Sequence, residues 1–396
     1  MKKTAVIGGG AAGMMAALTA SETSEVTIFE KLDRVGRKLA QTGNGRCNIS
    51  NTAAEAAHYY NNAFVSGIFS RFDVEKTKEF FHSIGLFLKE EYGGRLFPYS
   101  DQAGSVVDAL RFAVKNRGIE LCLSEPVLKI EKNKGIFIVE TAKGKRKFDY
   151  VIVCCGGAAA EKLGGTMDGY AILKSFGHKI TKLRAALAPI KTESAYSKAL
   201  KGVKIEAKLG LYTKKGCLRE SFGDILFTEY GLSGPAVMDV SRYVLGSGSE
   251  EICIDLFPML AEEEVFSMLK RMQKLRETAG ELFCGVLNNR LAMTIVKYAG
   301  FMPSAAADSL SEKDLENLAA SAKNFVFEVK GSMGLAAAQV TRGGAELSGF
   351  DPMTLESKIV RGLFAAGEVL DVDGECGGFN LQWAWSSGYV AGKLGG

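Results

Sequence analysis

The first hydrophobic and polar positions of the chain predict a strand, a glycine turn and a helix. An apolar run at residues 5–7 leads into the motif Gly8-x-Gly10-x-x-Gly13, and a helical pattern continues to about residue 23. Gly8 permits a tight turn, Gly10 lets the backbone approach a pyrophosphate, and Gly13 lets the helix pack close to the strand. The N-terminus of such a helix offers unpaired N–H groups and a partial positive charge to phosphates.

A second strand and an acidic residue complete this pattern. The strand covers residues 25–29, and Glu30 follows at its carboxyl end. A carboxylate at that position can accept hydrogen bonds from an adenosine ribose. A glycine motif alone is a weak signal, but here the strand, the helix and the acid all occur in the required order. We therefore predict a dinucleotide site, and a fortuitous glycine turn is the alternative.

The pattern between residues 55 and 155 predicts three helices, a hairpin and several strands. The helices are expected at residues 63–70, 75–84 and 103–116. Asp101 is the predicted N-cap of the third helix. Residues 90–100 predict the hairpin. The strands, expected at residues 119–123, 127–132, 135–141 and 147–155, form a parallel strand, a β-meander and a return strand.

The pattern changes between about residues 189 and 340, which we interpret as an insertion into the nucleotide domain. Apolar residues alternate with polar ones at residues 203–209, 252–256 and 325–329, which is typical of half-buried strands. Three helices are predicted between the last two strands, at residues 261–278, 281–298 and 311–323. This order predicts a small β-barrel that carries a helical cap.

A loop in this insertion supplies the candidate substrate residues. It covers residues 227–235, FTEYGLSGP, and Pro235 suits the first turn of a following helix. Glu229, Tyr230 and Ser233 are candidates for a substrate pocket. Structural turn residues are the alternative interpretation.

Glycine-rich segments elsewhere offer further close approaches to a ligand. Residues 35–51, VGRKLAQTGNGRCNISN, place Arg37 and Lys38 near the expected phosphates. The glycines beside Asn44 can pass the backbone close to a flat ligand, and an exposed loop is the alternative. Gly156 and Gly157, after an apolar strand, permit the same approach.

The last part of the chain returns to the nucleotide domain. An apolar strand is predicted at residues 358–366, and Gly367-Glu368 ends it. Glu368 can hold a ribityl hydroxyl. A helix begins near Asn380, and its N-terminus can face the flavin edge that gains negative charge on reduction. A helix docked by Trp383 and Trp385 is a second interpretation, compatible with the first.

Composition indicates an ordinary soluble globular chain with two or three domains. The 396 residues are 47% hydrophobic and 24% charged, and a net charge of +4 suggests no polyanion partner by itself. The eight cysteines show no zinc-ligand spacing, so no metal is expected. Cys154 and Cys155 are expected to be buried thiols, and reduced cysteines favour a cytoplasmic location.

The N-terminal apolar segment is explained by the nucleotide fold rather than by a signal peptide, and no apolar run is long enough to span a membrane.

A second Gly-x-Gly-x-x-Gly motif is missing after the first. Flavin reductases with a separate nicotinamide domain carry two, so we expect one tightly held FAD and an open face for the substrate and any nicotinamide. No set of residues for nucleophilic, paired-carboxylate, P-loop or metal chemistry competes with this interpretation. The catalytic residues are unknown at this level. Cys47 and Cys376 both belong to segments expected near the flavin, and ordinary packing is favoured over a redox-active thiol pair.

Four strings together carry a resemblance to a known family: GGGAAG, GRKLAQTGNGRCNISN, FTEYGLSGP and LFAAGEVLDVDGECGGFNLQWAWSSGYVAG. They resemble the BaiN-like family of bacterial flavoproteins, described as NAD(P)/FAD-dependent oxidoreductases with an aminoacetone oxidase branch. The similarity covers the whole chain.

The resemblance implies an α/β fold, a glutathione-reductase-like Rossmann FAD-binding domain interrupted by a β-barrel and helical insert. The expected boundaries are residues 1–188 with 341–396, 189–260 with 324–340, and 261–323. It also implies FAD contacts at Ala12, Glu30, Lys31, Arg37, Lys38, Gly43, Asn44, Arg46, Val127, Gly156, Glu368, Asn380 and Leu381. The match is looser at Glu229, where His is common in the family.

Three functional hypotheses follow. The first is an NAD(P)H-dependent flavin reductase of a conjugated or carbonyl substrate, with NAD(P)H as a transient donor. The second is an oxidase of a small amine such as aminoacetone. The third is a flavin-bearing tRNA-modifying or nucleic-acid-binding protein. Against the third, no basic run is interleaved with aromatic residues, and the basic residues 198–215 have the period of a solvated strand face. We therefore expect a small-molecule substrate, with no nucleic-acid or membrane partner.

Overall fold

The computed structural model describes residues 1–193, 195–246 and 248–395. The chain divides into two units: the first combines Met1–Ala185 with Ala338–Gly396, and the second is Ala186–Ala337. The second unit is thus inserted between two parts of the first. Within the described residues, no helix has both the length and the apolar character needed to cross a lipid bilayer.

A five-stranded parallel sheet is the centre of the first unit. Its strands, in spatial order, are Leu363–Ala365, Tyr150–Val153, Lys2–Ile7, Ser24–Phe29 and Glu120–Cys122. The N-terminal strand lies in the middle, and its residues Ala5, Val6 and Ile7 are buried. Burial on both faces explains why this strand is a continuous apolar run instead of an alternating one. The Rossmann-like fold class predicted from the sequence is confirmed.

Two helices at opposite ends of the chain pack on each other beside this sheet. They are the N-terminal helix, Ala11–Ala20, and the C-terminal helix, Phe379–Gly392. Glycines make the approach close, because a Cβ on Gly388 would lie 2.5 Å from the carbonyl oxygen of Ala12. Trp383 and Trp385 are buried, and the indole of Trp385 donates to the carbonyl of Ile49 at 2.9 Å. The predicted docking of this helix by its tryptophans is confirmed.

The other elements of the first unit surround this centre. Its further helices are Asn62–Phe69, Val74–Ser83, Ala103–Asn116 and Asp168–Ser175. A small antiparallel sheet contains Ser50–Asn51, Arg95–Pro98 and Leu88–Glu91. The β-meander contains Val127–Asn133, Ile136–Thr141 and Gly144–Phe148. The strand predicted at residues 147–155 is therefore divided, and only Tyr150–Val153 enters the parallel sheet. The chain leaves and re-enters this unit through Arg184–Ala186 and Val340–Arg342.

Two sequence expectations in the first unit are wrong. Asp101 does not cap the third helix: its φ is +53°, Gln102 occupies the cap, and the Asp101 carboxylate pairs with Lys89 and Arg46 instead. Asp101 lies one residue before the N-cap position, and two cations bind its carboxylate there. The strand predicted at 358–366 is also shorter, since Gly362 has a φ of +79° and a turn precedes Leu363–Ala365.

The second unit contains a closed six-stranded barrel. Its strands, in spatial order, are Ile190–Thr192, Gly231–Ser233, Gly216–Thr228, Lys204–Thr213, Glu251–Asp255 and Phe325–Ser332. Alternate residues point inward and are buried, among them Leu209, Ile254 and Phe327. The helices are Ala195–Ala199, Pro235–Ser241, Glu262–Gln273, Asn289–Tyr298 and Glu312–Lys323.

One predicted helix of the insert begins later than expected. The sequence predicts residues 281–298, but the helix covers Asn289–Tyr298. Gly285 has a φ of +92°, which interrupts the pattern, and the side chain of Asn288 accepts from the backbone N–H of Arg290 as an N-cap.

Candidate functional site

In the glycine turn between the first strand and the N-terminal helix, a Cβ would clash with the backbone at two glycines and would have space at a third. A Cβ on Gly8 would lie 2.5 Å from the carbonyl oxygen of Cys154, and one on Gly13 would lie 1.9 Å from that of Gly8. A Cβ on Gly10 would meet nothing within 4 Å. Packing therefore requires Gly8 and Gly13, whereas the space at Gly10 suits a ligand that approaches the backbone.

The start of the N-terminal helix can bind an anion. Gly10 is its N-cap and supplies no side-chain acceptor, and the first turn contains no acidic residue. The first-turn N–H groups and the helix dipole therefore favour a phosphate. Arg37 is half-buried and has no ion-pair partner among the residues that the structure describes. The guanidinium of Arg37, on the segment that follows Glu30, offers a positive charge that would attract the same phosphate.

Glu30 binds the glycine turn directly. Its Oε2 accepts from the backbone N–H of Gly9 at 2.8 Å, and its Oε1 accepts from that of Leu32 at 2.9 Å. The side chain is only 8% exposed. An ionised carboxylate has about four acceptor positions, so two remain for ribose hydroxyls. The carbonyl of Glu30 also accepts from Glu125, which brings the segment before Val127 to this position.

Glu368 joins three separate segments of the first unit. Its Oε2 accepts from Nζ of Lys38 at 2.8 Å, and its Oε1 accepts from the backbone N–H of Thr341 at 2.7 Å. A Cβ on Gly157 would lie 2.4 Å from Oε1 of Glu368, so a larger residue there would displace the carboxylate. Gly156 has a φ of +73°, and its neighbourhood is open.

Gly367 and Ala12 lie side by side at this position. A Cβ on Gly367 would lie 2.8 Å from Cβ of Ala12. The backbone N–H of Gly367 donates to the hydroxyl of Ser387 at 2.9 Å, which ties it to the C-terminal helix. The structure thus brings together the N-terminal turn and the predicted residues at the end of the chain.

The TGNGRCN loop has an unusual backbone. Gly43, Asn44, Gly45 and Cys47 all have φ between +56° and +82°. Gly43 and Asn44 are exposed, so they are accessible to a ligand. Burial raises the pKa of the Cys47 thiol to about 12, which keeps it protonated at neutral pH.

Arg46 anchors this loop to the Leu88–Pro98 hairpin. Its guanidinium makes a bidentate pair with Glu91, at 2.5 and 3.1 Å, and its Nε donates to Asp101 at 2.9 Å. It also lies 4.1 Å from the ring centroid of Phe97. The hydrogen bonds to Glu91 and Asp101 raise the pKa of Arg46, and hydrogen bonds from Arg46 and Lys89 hold the pKa values of Glu91 and Asp101 low.

The start of the C-terminal helix offers a second cradle. A Cβ on Gly378 would lie 2.4 Å from the carbonyl oxygen of Ser50. The Asn380 side chain is engaged with the preceding loop, because it accepts from Gly374 at 2.8 Å and donates to the carbonyl of the same residue at 2.9 Å. Nearby, Oδ1 of Asn48 is buried and lacks a hydrogen-bond partner among the described residues. A buried acceptor without a partner is suited to accept a hydrogen bond from an N–H group of a ligand.

The remaining predicted residues are placed as follows. Lys31 pairs with Asp168 at 3.4 Å, and Leu381 is half-buried in the first turn of the C-terminal helix. Glu229, Tyr230 and Ser233 belong to the second unit. Glu229 is exposed and pairs with Lys201 at 2.7 Å, which lowers its pKa. Tyr230 is exposed, and Ser233 is buried in a barrel strand.

The structure contains a cluster around Arg342 that the sequence pattern does not indicate. Its guanidinium lies 4.5 Å from the ring centroid of Tyr60. Thr341, the preceding residue, contacts Glu368, so the cluster adjoins the predicted flavin end. The glycine pair Gly343-Gly344 directly after Arg342 was the signal that could have revealed it.

Free thiols and metal ligands add no further centre. None of the eight cysteines forms a disulfide within the described residues, and Cys154 is buried, which raises its pKa far above the ordinary value. Cys155 is half-buried rather than buried. No group of three or more metal-ligating side chains occurs in the described ranges.

Comparison with curated proteins gives three relatives of nearly full length. The chain is 32% identical to the 3-dehydro-bile acid delta(4,6)-reductase of Clostridium scindens, over 99% of this chain and 98% of that protein. It is 30% identical to the ribosomal RNA dihydrouridine synthase of Haemophilus influenzae, over 97% and 96% of the two chains. The ribosomal RNA dihydrouridine synthase of Escherichia coli is 28% identical, over 97% and 96%.

Solved structures and a family profile support the same fold. The 3-ketosteroid delta1-dehydrogenase of Sterolibacterium denitrificans has a TM-score of 0.50 and 13% identity, with 99% of each chain covered. Such a likeness shows the fold alone. Residues 2–394 match the family described as the HI0933-like protein Rossmann domain. The resemblance seen in the sequence is confirmed, and the chain belongs to this family of FAD-dependent oxidoreductases.

Proposed function

We propose that this protein is an FAD-dependent reductase of a carbon–carbon double bond conjugated to a carbonyl group, and that a nicotinamide nucleotide supplies its electrons. The open space at Gly10 carries the cofactor part of this proposal, since Glu30 accepts from the neighbouring Gly9 and the residue before Arg37, Gly36, donates to the carbonyl of Gly9. A dinucleotide fits it because the backbone, an acid and a cation meet the pyrophosphate and the ribose.

The residues at the two ends of the chain would hold the two ends of FAD. Gly8, Gly10, Gly13, Glu30 and Arg37 would hold the ADP half. Lys38, Glu368 and the start of the C-terminal helix would hold the flavin half, and the helix dipole there would favour the reduced ring. FAD, when bound, supplies hydride transfer, while the protein orients the reactants and sets the charge around the ring.

The names of the relatives support the substrate class. A 3-oxo ring with double bonds at positions 4 and 6, and a uracil ring, both contain a carbon–carbon double bond conjugated to a ring carbonyl. The Clostridium scindens protein is named for reduction of the first, and the Haemophilus influenzae protein for production of dihydrouridine. One chemistry therefore covers both names, and we extend that chemistry to this chain.

A uridine of structured RNA is the second candidate within this class. The Leu88–Pro98 hairpin exposes Tyr92 at 90% and Tyr99, just beyond it, at 70%. Arg95 on the same hairpin is exposed, with no ion-pair partner in the described part of the chain. Exposed aromatic rings beside a free cation suit stacking with unpaired bases. By contrast, Lys204 and other cations of the barrel face are neutralised by acidic partners.

The test examines the electron donor and the electron acceptor of the flavin in two separate half-reactions. Holoenzyme is mixed without oxygen with NADH or NADPH, and bleaching of the flavin reports the reductive half. Reduced enzyme is then mixed with 2-cyclohexen-1-one, or with protein-free ribosomal RNA, and the return of the oxidised spectrum reports the acceptor.

Each outcome decides between named functions. Bleaching by a nicotinamide with reoxidation by either acceptor supports the proposal, and the acceptor that works identifies the substrate class. Bleaching by aminoacetone alone, with reoxidation only by oxygen, would replace the reductase by an amine oxidase. A protein that retains no FAD would overturn the proposal altogether.

A further inference from the structure

Arg342 is held in a fixed place one residue from the predicted flavin end. Its neighbour Thr341 donates its backbone N–H to Glu368 at 2.7 Å, and the Thr341 hydroxyl accepts from the backbone N–H of Ala159 at 2.9 Å. A Cβ on Gly343, the next residue, would lie 2.5 Å from the carbonyl of Lys182. The backbone on both sides of Arg342 is thereby fixed.

Tyr60 forms the other side of this cluster. It is 41% exposed, and its ring faces the guanidinium of Arg342 with a separation of 4.5 Å. Its backbone N–H donates to the carbonyl of Asp373 at 2.9 Å, and the amide of Asn61 donates to that of Asp371 at 2.6 Å. Tyr60 is therefore attached to the loop that leads into the C-terminal helix.

Two carboxylates lie in the same loop. Asp371 is 8% exposed, and burial, together with the charge of Asp373, raises its pKa. Arg342 and the hydroxyl of Thr181 oppose that effect. The half-buried Arg342 thus acts on the buried Asp371 through its charge and packs on the exposed ring of Tyr60, so it keeps a positive charge at the border between the interior and solvent.

We infer that Arg342 is the residue that binds the carbonyl oxygen of the substrate, with Tyr60 as the ring against which the guanidinium is aligned. This inference rests on the proposed function. The β-carbon of the substrate takes a hydride, with two electrons, from reduced FAD. The π electrons move to the carbonyl oxygen, Arg342 donates hydrogen bonds to the resulting enolate, and the α-carbon takes a proton from water. The substrate gains two electrons and FAD loses two.

The physical reason is that negative charge develops at one atom. A fixed N–H donor aimed at such an oxygen is worth about a hundredfold or more in rate. Arginine suits this role better than lysine, because its planar group presents several donors and stacks on aromatic faces. Stacking on Tyr60 restricts the guanidinium to one plane before the substrate arrives.

The experiment compares R342Q and R342K with a matched control, R361Q, whose arginine is exposed elsewhere in the first unit. Each holoenzyme is first checked for FAD content. Reoxidation of the reduced protein by 2-cyclohexen-1-one is then timed without oxygen. R342Q should be slower by about a hundredfold, R342K should lose less, and R361Q should match the parent protein. Equal rates in R342Q and the parent, at equal FAD content, would overturn the inference while the proposed function stands.

A second readout does not need the substrate. Sulfite adds to oxidised flavin as an anion, so its binding reports a cation beside the reacting edge of the ring. Titration with sodium sulfite should show weaker binding in R342Q by about tenfold, with partial recovery in R342K. If the parent protein reduced no carbonyl probe, the proposed function would fail, and unchanged sulfite affinity in R342Q would then reject the placement of Arg342 as well.

Discussion

Nζ of Lys38 lies 2.8 Å from Oε2 of Glu368, so an ion pair joins residues that are 330 positions apart in the sequence. Both side chains are mostly buried, at 31% and 19% exposure. Removal of one partner leaves the other charge without compensation in a partly dry site. K38M should weaken FAD retention by about tenfold, a loss near 1.4 kcal/mol.

The measurement for this prediction is the Kd of FAD by ultrafiltration. K3M is the control, because Lys3 is an exposed lysine of the strand Lys2–Ile7 that also pairs with an acid, Glu25. Equal FAD affinity in K38M and K3M would show that the pair does not support the cofactor site.

Gly10 and Gly13 of the first turn should respond differently to alanine. G13A places a Cβ 1.9 Å from the carbonyl of Gly8, so the helix must separate from the strand and the protein should lose stability by several kcal/mol. G10A meets nothing within 4 Å and should fold with nearly unchanged stability, but it should retain less FAD because it fills ligand space. Urea unfolding of the apoproteins, combined with FAD content, separates the two effects. A fully loaded G10A protein would contradict the assignment.

The contact between the first and last helices should depend on a glycine. A Cβ on Gly388 would lie 2.5 Å from the carbonyl of Ala12, so G388A should reduce the free energy of unfolding by about 1–3 kcal/mol. G104A is the matched control, because Gly104 lies in the helix Ala103–Asn116 with open space around it. It should be neutral or more stable by about 0.5–1 kcal/mol. Equal unfolding midpoints for the two variants would refute the close approach.

The anchor of the TGNGRCN loop should be sensitive to acid. Arg46 and Lys89 lower the pKa values of Glu91 and Asp101 below 4.5 and 3.8. The stabilisation from these carboxylates is therefore complete above their unfolded pKa values and is lost as pH falls through the lowered ones. FAD fluorescence rises when the cofactor is released. This rise should occur at a lower pH in the parent protein than in R46Q, and added salt should reduce the difference between the two release pH values. Coincident release profiles would exclude a role for the anchor in holding FAD.

Local patterns in the sequence predict much of the first unit. The turn from Gly8 to Gly13, the acid Glu30 and the final helix each depend on neighbours within a few positions, so spacing alone indicates them. Contacts with residues that are distant in the sequence decide two other features. They leave Arg37 without an ion-pair partner among the described residues, and they attach Arg46 to Glu91. The secondary-structure propensity of a single residue carries no information about such pairs.

The cluster around Arg342 also depends on contacts between residues that are distant in the sequence. Arg342, Tyr60 and Asp371 come from three separate segments, and only the fold brings them together. Asp101 shows the converse, since its local position favours a helix cap while distant cations bind its carboxylate. In both cases tertiary charge pairing decides the outcome.

The most direct test of the proposed reductase is a single turnover without oxygen. Holoenzyme reduced by one equivalent of NADH or NADPH is mixed with 2-cyclohexen-1-one or ribosomal RNA, and the product is analysed by mass spectrometry. We predict one saturated carbon–carbon bond, a mass gain of two hydrogens, for each FAD that returns to the oxidised state. Reduced flavin that persists with both acceptors, and returns to the oxidised form only when air is admitted, would contradict the proposal.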